Sequence, residues 1–208
     1  AGISHVTPDY PRILRDGFRG LVSRLEARRA ETRDAEARAF YEAALVTARA
    51  AMRHGQRWSA YLATEAKNAS GERREELERL SRICQRVPEH GAQTFHEALQ
   101  SLFLTHAMLH YESFQHGISF GRLDQILAPW YRADVEAGRL TRDEAVELVG
   151  CFLVKAAELL PLFFDRATEY FAGLSSASGI TLAGTDADGN CAVNEVSWIL
   201  LEAYDQVR

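Results

Sequence analysis

Three groups of residues in this chain are of types that do chemistry. The first is His106-Ala-Met-Leu-His110, followed by Glu112 and His116. Two histidines four residues apart lie on one helix face and can share a metal ion. The general base of a zinc-hydrolase helix would directly follow the first histidine, where this chain has Ala107. His106 also falls on the apolar stripe of Phe95, Leu99 and Leu102, which favours a core histidine with satisfied nitrogens over a ligand. The second group is Gly184-Thr-Asp186-Ala-Asp188-Gly189-Asn190 with Glu195. It sits in a partial calcium-loop register, with Asp186, Asp188, Gly189 and Glu195 at the third, fifth, sixth and twelfth places. Gly184 stands where the first carboxylate is required, and an extended stretch precedes it, so a plain turn is expected. The third group is the run from Glu112 to Gln125, a polar loop with two glycines between a buried helix and an amphipathic one. Its composition marks a conformationally demanding loop, either a site or a turn.

Helices must position these groups. A start marked by Pro8 and Pro11 opens a helix carrying Ile13, Leu14, Phe18, Leu21, Val22 and Leu25 at three- and four-residue steps. Glu26 to Arg38 is almost entirely charged or Ala and reads as a solvated turn. A long helix from about Asp34 to Lys67 follows, with Phe40, Ala44, Ala48, Ala51, Met52, Trp58, Tyr61 and Leu62 on its face and Gly55 as a candidate bend. A charged helix covers Glu72 to Cys84. Thr94 and Glu97 form a capping box for Phe95 to Tyr111, which is apolar nearly all round. Helices over Asp124–Ala137 and from Thr141 to Leu160 come next, the second opened by another box with Glu144. Ile180 to Ala183 is the best strand candidate, Asp186 to Asn190 a turn, and Asn194 caps a last helix with Val196, Ile199, Leu200, Ala203 and Val207 on its face. The helices Phe95–Tyr111 and Ala145–Leu160 are apolar on more than one face, so an isolated chain is expected to be marginally stable or to associate.

Bulk properties narrow the class. The 208 residues carry 47% hydrophobic and 25% charged residues and a net charge of -5, ordinary values for a globular domain. That balance argues against nonspecific nucleic-acid binding. No apolar run reaches the roughly 18 residues a membrane span needs, and no secretion signal is visible at the start. Cys84, Cys151 and Cys191 form no CxxC and read as reduced thiols of a cytoplasmic protein.

An ordered set of motifs carries a family resemblance. Ser119-Phe-Gly-Arg-Leu-Asp-Gln125, Pro129-Trp-Tyr131, Asp134, Gly138-Arg-Leu-Thr141 and Glu144-Ala145 resemble the signature of the pyruvate formate-lyase domain of glycyl radical enzymes. His5-Val-Thr-Pro8-Asp-Tyr10, Thr94-Phe-His-Glu97-Ala98-Leu-Gln100, the Asp188-Gly189 to Val193-Asn194 turn and Leu201-Glu-Ala203 are similar to further segments of it. The set spans about residues 2 to 208 and is closer to the dehydratase and eliminase branch than to pyruvate formate-lyase itself.

The resemblance implies a predominantly α chain with a few short strands, the N-terminal part of a ten-stranded α/β barrel. Residues 1–208 would be a partial domain, without the family's N-terminal helices, cysteine loop and C-terminal glycyl radical domain, and an inactive fragment by themselves. The chain stops mid-pattern at Arg208, in keeping with truncation. No catalytic residue is carried over. His116, Gly117, Ser119 and His5 match substrate-pocket positions, and Arg122 and Asp124 match structural ones, as an ion pair or a helix cap. No metal or other bound cofactor is implied beyond the glycyl radical, installed by an S-adenosylmethionine-dependent activase. The other implied partners are a small-molecule substrate and a second copy of the enzyme. A noncatalytic helical scaffold and a metalloprotein using His106 and His110 are the competing readings.

Overall fold

The computed structural model describes residues 6–112, 117–159, 166, 169 and 178–208. Its elements are α1 (Tyr10–Glu31), α2 (Ala35–Asn68), α3 (Gly71–Arg86), α4 (Phe95–Glu112), β1 (Gly121–Arg122), α5 (Leu123–Glu136), α6 (Arg142–Ala157), β2 (Ile180–Thr181) and α7 (Glu195–Val207). The chain divides into two compact units, Pro11–Thr105 and Ala1–Tyr10 with His106–Arg208.

In the first unit, α2 and α3 pack against each other. Asp34 starts α2 by accepting from the backbone N–H groups of Glu36 and Ala37. The solvated turn expected over Glu26–Arg38 is much shorter. Arg-rich sequence continues α1 to Glu31, because a charged, Ala-containing stretch is a good solvent-facing helix. The buried side of α2 is Leu45, Ala48, Ala51, Gly55 and Ala66, whereas Phe40, Trp58 and Tyr61 are exposed. The expected face is therefore displaced, toward the small residues that permit close approach. Gly55 does not break the helix. A Cβ there would lie 2.8 Å from both Pro88 Cδ and Val87 O, so this glycine seats the 87–88 segment.

That segment continues into a polar knot. Glu89 is buried and accepts hydrogen bonds from Arg19 and, at 2.6 Å, from Gln56 Nε2. Burial raises the Glu89 carboxyl, but the Arg19 and Gln56 hydrogen bonds outweigh it and hold the group below the usual carboxylate range. Gly17 interrupts α1 with φ 64 and ψ 177 so that the amides of Phe18 and Arg19 can bond Pro88 O and Glu89 O, each at 2.9 Å. The apolar periodicity of α1 runs straight through this break, which is why the pattern conceals it.

The second unit is built on α5, α6 and α7, whose shared core includes Leu123, Leu127, Val146, Val149, Phe152, Val196, Ile199 and Leu200. Thr141 and Glu144 form the expected capping box, and Asn194 caps α7. The box that opens α4, in the first unit, is only half reciprocal. Thr94 Oγ1 accepts from Glu97 N–H, but the Glu97 carboxylate accepts from Gln93 N–H. The apolar residues Phe95, Ala98, Leu99, Leu102, Leu104 and Ala107 of α4 are all buried. Exposed apolar side chains include Tyr111 at the end of α4, Val154 on α6, and Trp198, Leu201 and Tyr204, which recur every three residues on α7. Among the described residues, no helix is long and apolar enough to cross a membrane.

Candidate functional site

Three extended segments lie side by side in the second unit. The middle one, 117–122, bonds Val6 on one side, through Val6 N–H to Gly117 O and Ser119 N–H to Val6 O, each at 2.9 Å. On its other side Phe120 N–H donates to Gly179 O at 2.8 Å, and β1 pairs in parallel with β2 in the register Gly121↔Ile180 and Arg122↔Thr181. The strand expected over Ile180–Ala183 stops at Thr181, because Ala183 takes a positive φ of 57. Strands this short show no period-2 pattern, so β1 and the Val6 bridge were not foreseeable from alternation.

Alternation along 117–121 gives the middle segment two unlike faces. Ile118 and Phe120 are buried against a helical core. Gly117, Ser119 and Gly121 lie on the opposite side and are partly exposed. On this side a Cβ at Gly179 would lie 2.9 Å from Ser119 Oγ, and one at Gly121 would lie 2.8 Å from Thr7 Cγ2. Of the four positions expected at a pocket, Gly117 and Ser119 therefore lie on one side of this segment, called the wall below. His5 and His116 lie outside the described residues. Thr7 and Gly179 lie against the same side, and in the sequence only their adjacency to the Pro8-Asp-Tyr10 motif and to the Ile180 strand pointed to them.

Behind the wall sits His106, which is fully buried. Its ring stacks on Phe120 with centroids 3.9 Å apart. Nδ1 is 2.6 Å from Tyr10 Oη and Nε2 is 2.8 Å from Ser178 Oγ. Burial raises the Tyr10 hydroxyl above its ordinary value, so the phenol keeps its proton. A phenol donating to Nδ1 leaves the ring hydrogen on Nε2, which donates to Ser178 and satisfies all three groups. His110 Nδ1–H donates to His106 O at 2.9 Å. A metal shared by His106 and His110 would have to displace Tyr10 or Ser178. Among the described residues no cluster of three metal-ligating side chains is present.

Burial, and then the neighbouring His110, push His106 from its ordinary 6.5 down to about 3. Between those values the unfolded chain holds a proton that the folded chain does not. The contribution is thus complete above pH 6.5 and is lost as pH falls toward 3, by up to about 1.4 kcal/mol per pH unit. Urea midpoints at pH 7 and pH 4.5 check this: His106→Phe should lose less stability on acidification than the wild type. Equal losses would place the proton elsewhere.

The polar residues that follow, Arg122, Asp124 and Gln125, act mainly on backbone. Arg122 donates to Ala183 O at 2.6 Å and Thr185 O at 2.8 Å. Asp124, fully buried, accepts from Gln125 N–H and Ala183 N–H, each at 2.8 Å, and from the Ser197 hydroxyl. Gln125 Nε2 donates to Ala192 O at 2.5 Å. Arg122 and Asp124 are structural, but neither as an ion pair with each other nor as a side-chain cap of α5. The reason is nonlocal: the 183–185 backbone turns at two positive-φ residues, Ala183 and Gly184, and needs partners for its polar groups. Asp186 closes the next turn by accepting from Asp188 N–H and Asn190 N–H, at 3.0 and 2.8 Å, as a plain turn requires.

Comparison with known proteins gives the wall a context. Residues 1–208 match the family described as pyruvate formate lyase-like. The chain is 33% identical to (2S)-3-sulfopropanediol dehydratase of Klebsiella oxytoca, over 100% of this chain and 26% of that protein. A glycyl radical enzyme from Archaeoglobus fulgidus superposes with a TM-score of 0.93 at 36% identity, over 100% of this chain and 27% of that one. A structure describing 1,2-propanediol dehydration in Roseburia inulinivorans gives 0.95 at 32% identity, over 99% and 27%. The helices and the short parallel ladder are thus part of a glycyl radical enzyme barrel. The chain spans about a quarter of the length of the curated relatives it matches.

Proposed function

Because the chain belongs to the pyruvate formate lyase-like family, we propose that it is one segment of a glycyl radical lyase or dehydratase and supplies part of the wall of its substrate pocket. The observation that carries this reading is the two-faced 117–121 segment. Its Ile118 and Phe120 side is buried, and its other side carries two glycines and the Ser119 hydroxyl. A radical site needs such a wall, because a small substrate must be held by directed polar contacts where water is excluded. His116 and His5 complete the proposed pocket. The substrate is a small polyol or a hydroxylated or sulfonated analogue, as the names of the relatives suggest.

The thiyl cysteine and the radical glycine belong to other parts of the full-length protein. Cys84 is buried, its thiol pushed up to about 11 by desolvation. Cys151 and Cys191 are exposed, on α6 and beside the 186–190 turn. The proposed partners are a radical S-adenosylmethionine activase and a second copy of the enzyme, in the cytoplasm.

Anaerobic treatment of the full-length protein with the activase and S-adenosylmethionine tests the reading. A glycyl doublet in the EPR spectrum is expected, with turnover of 1,2-propanediol, glycerol or isethionate. The 208-residue chain alone should give no doublet. A silent full-length protein would leave the noncatalytic scaffold as the better reading.

A further inference from the structure

Resting on the pocket reading above, we infer that His106 is a positioning residue that fixes the Ser119–Gly179 junction of the wall from behind. The two extended segments meet where Phe120 N–H bonds Gly179 O at 2.8 Å. His106 touches both of them next to that bond. Its ring stacks on Phe120, the neighbour of Ser119, and its Nε2 bonds Ser178 Oγ, the neighbour of Gly179. Tyr10 holds the ring from its other nitrogen, and Phe152 closes the far edge of Phe120 with centroids 5.0 Å apart. Nothing in this arrangement is local in sequence: the two hydrogen bonds join residues 96 and 72 positions apart.

The opposite face shows why this matters. Ser119 Oγ stands where a Gly179 Cβ would be only 2.9 Å away, so the hydroxyl faces bare backbone. A shift of the 178–181 segment by a few tenths of an ångström would move that backbone against the hydroxyl. The imidazole is neutral, doubly bonded and packed, which is what a fixed spacer needs. His106 reaches substrate only through Ser119 and Gly179, so its effect should fall on substrate binding and not on radical formation.

Full-length protein carrying Ser178→Ala, Ser178→Thr and His106→Phe provides the test. Ser178→Ala removes one hydroxyl from a loop residue and leaves the core intact. Amide hydrogen exchange over 118–122 should speed up about tenfold in Ser178→Ala, the scale of one lost hydrogen bond. Exchange within α2 should stay unchanged. Ser178→Thr should restore the slow exchange. With 1,2-propanediol, glycerol or isethionate as substrate, kcat/KM should fall about tenfold in Ser178→Ala, carried by KM, at an unchanged EPR radical yield. Wild-type exchange in Ser178→Ala and His106→Phe overturns the inference. So does faster exchange with unaltered KM, when His116→Ala in the same assay still abolishes turnover. If His116→Ala also leaves turnover intact, the pocket reading fails, and the inference fails with it.

Discussion

Replacing His116 by Ala in the full-length protein should lower turnover by about 10²–10⁴-fold, the range for a positioned proton-transfer group. Glycyl radical formation should be unaffected. His116 directly precedes Gly117, the first residue of the wall, whose carbonyl is bonded by Val6 N–H at 2.9 Å. A histidine can donate or accept a proton near neutral pH, which a loop of glycines and a serine cannot. Elimination of water, an amine or sulfite needs a donor within hydrogen-bond reach of the leaving group. Steady-state kinetics with EPR quantification of the radical decides the matter. Turnover within a few-fold of wild type would make His116 a loop tether.

Gly17→Ala should strongly destabilise the first unit, by on the order of 3 kcal/mol or more. The backbone at φ 64 and ψ 177 belongs to a region that glycine alone occupies readily. The new Cβ would also stand 2.3 Å from Glu89 O and 2.5 Å from His90 C, both backbone atoms that cannot turn aside. Gly71→Ala is the matched control. It too has a positive φ, 56, but nothing lies within 4 Å of its Cβ. Only the strain of about 1–2 kcal/mol should remain there. Urea midpoints followed by far-UV circular dichroism separate the two. Equal losses at both positions would show that strain alone matters and that the 88–90 backbone yields.

What sequence reasoning reached, and what it missed, divides along the range of the interactions. The Thr141–Glu144 box, the Asn194 cap and the Asp186 turn are each closed within four residues, so their residue types announce them. The proposal of Gly117 and Ser119 as pocket positions rests on the motif resemblance, and composition alone left that loop ambiguous. The partners of Arg122 and Asp124 lie about sixty residues away, beyond the reach of any spacing rule. His106 was legible as a core histidine from its apolar stripe, but Tyr10 and Ser178, which satisfy it, were not. The face of α2 was misjudged for another reason. In an Ala-rich helix the closest packing falls to the smallest residues, and the large aromatics that dominate a periodicity count turn outward.

Arg122, Asp124 and Gln125 have a consequence for how such a barrel can be rebuilt. Their hydrogen bonds run to Ala183, Thr185, Ala192 and Ser197 and to no residue of the 117–119 wall. The 122–125 and 183–197 stretches are one interlocked frame, and a chimera between relatives has to exchange them together. The 117–119 stretch before them answers to a different set of partners, Val6 through its backbone and Gly179 beside the Ser119 hydroxyl, so a graft there has to carry the 6–7 and 178–179 segments with it.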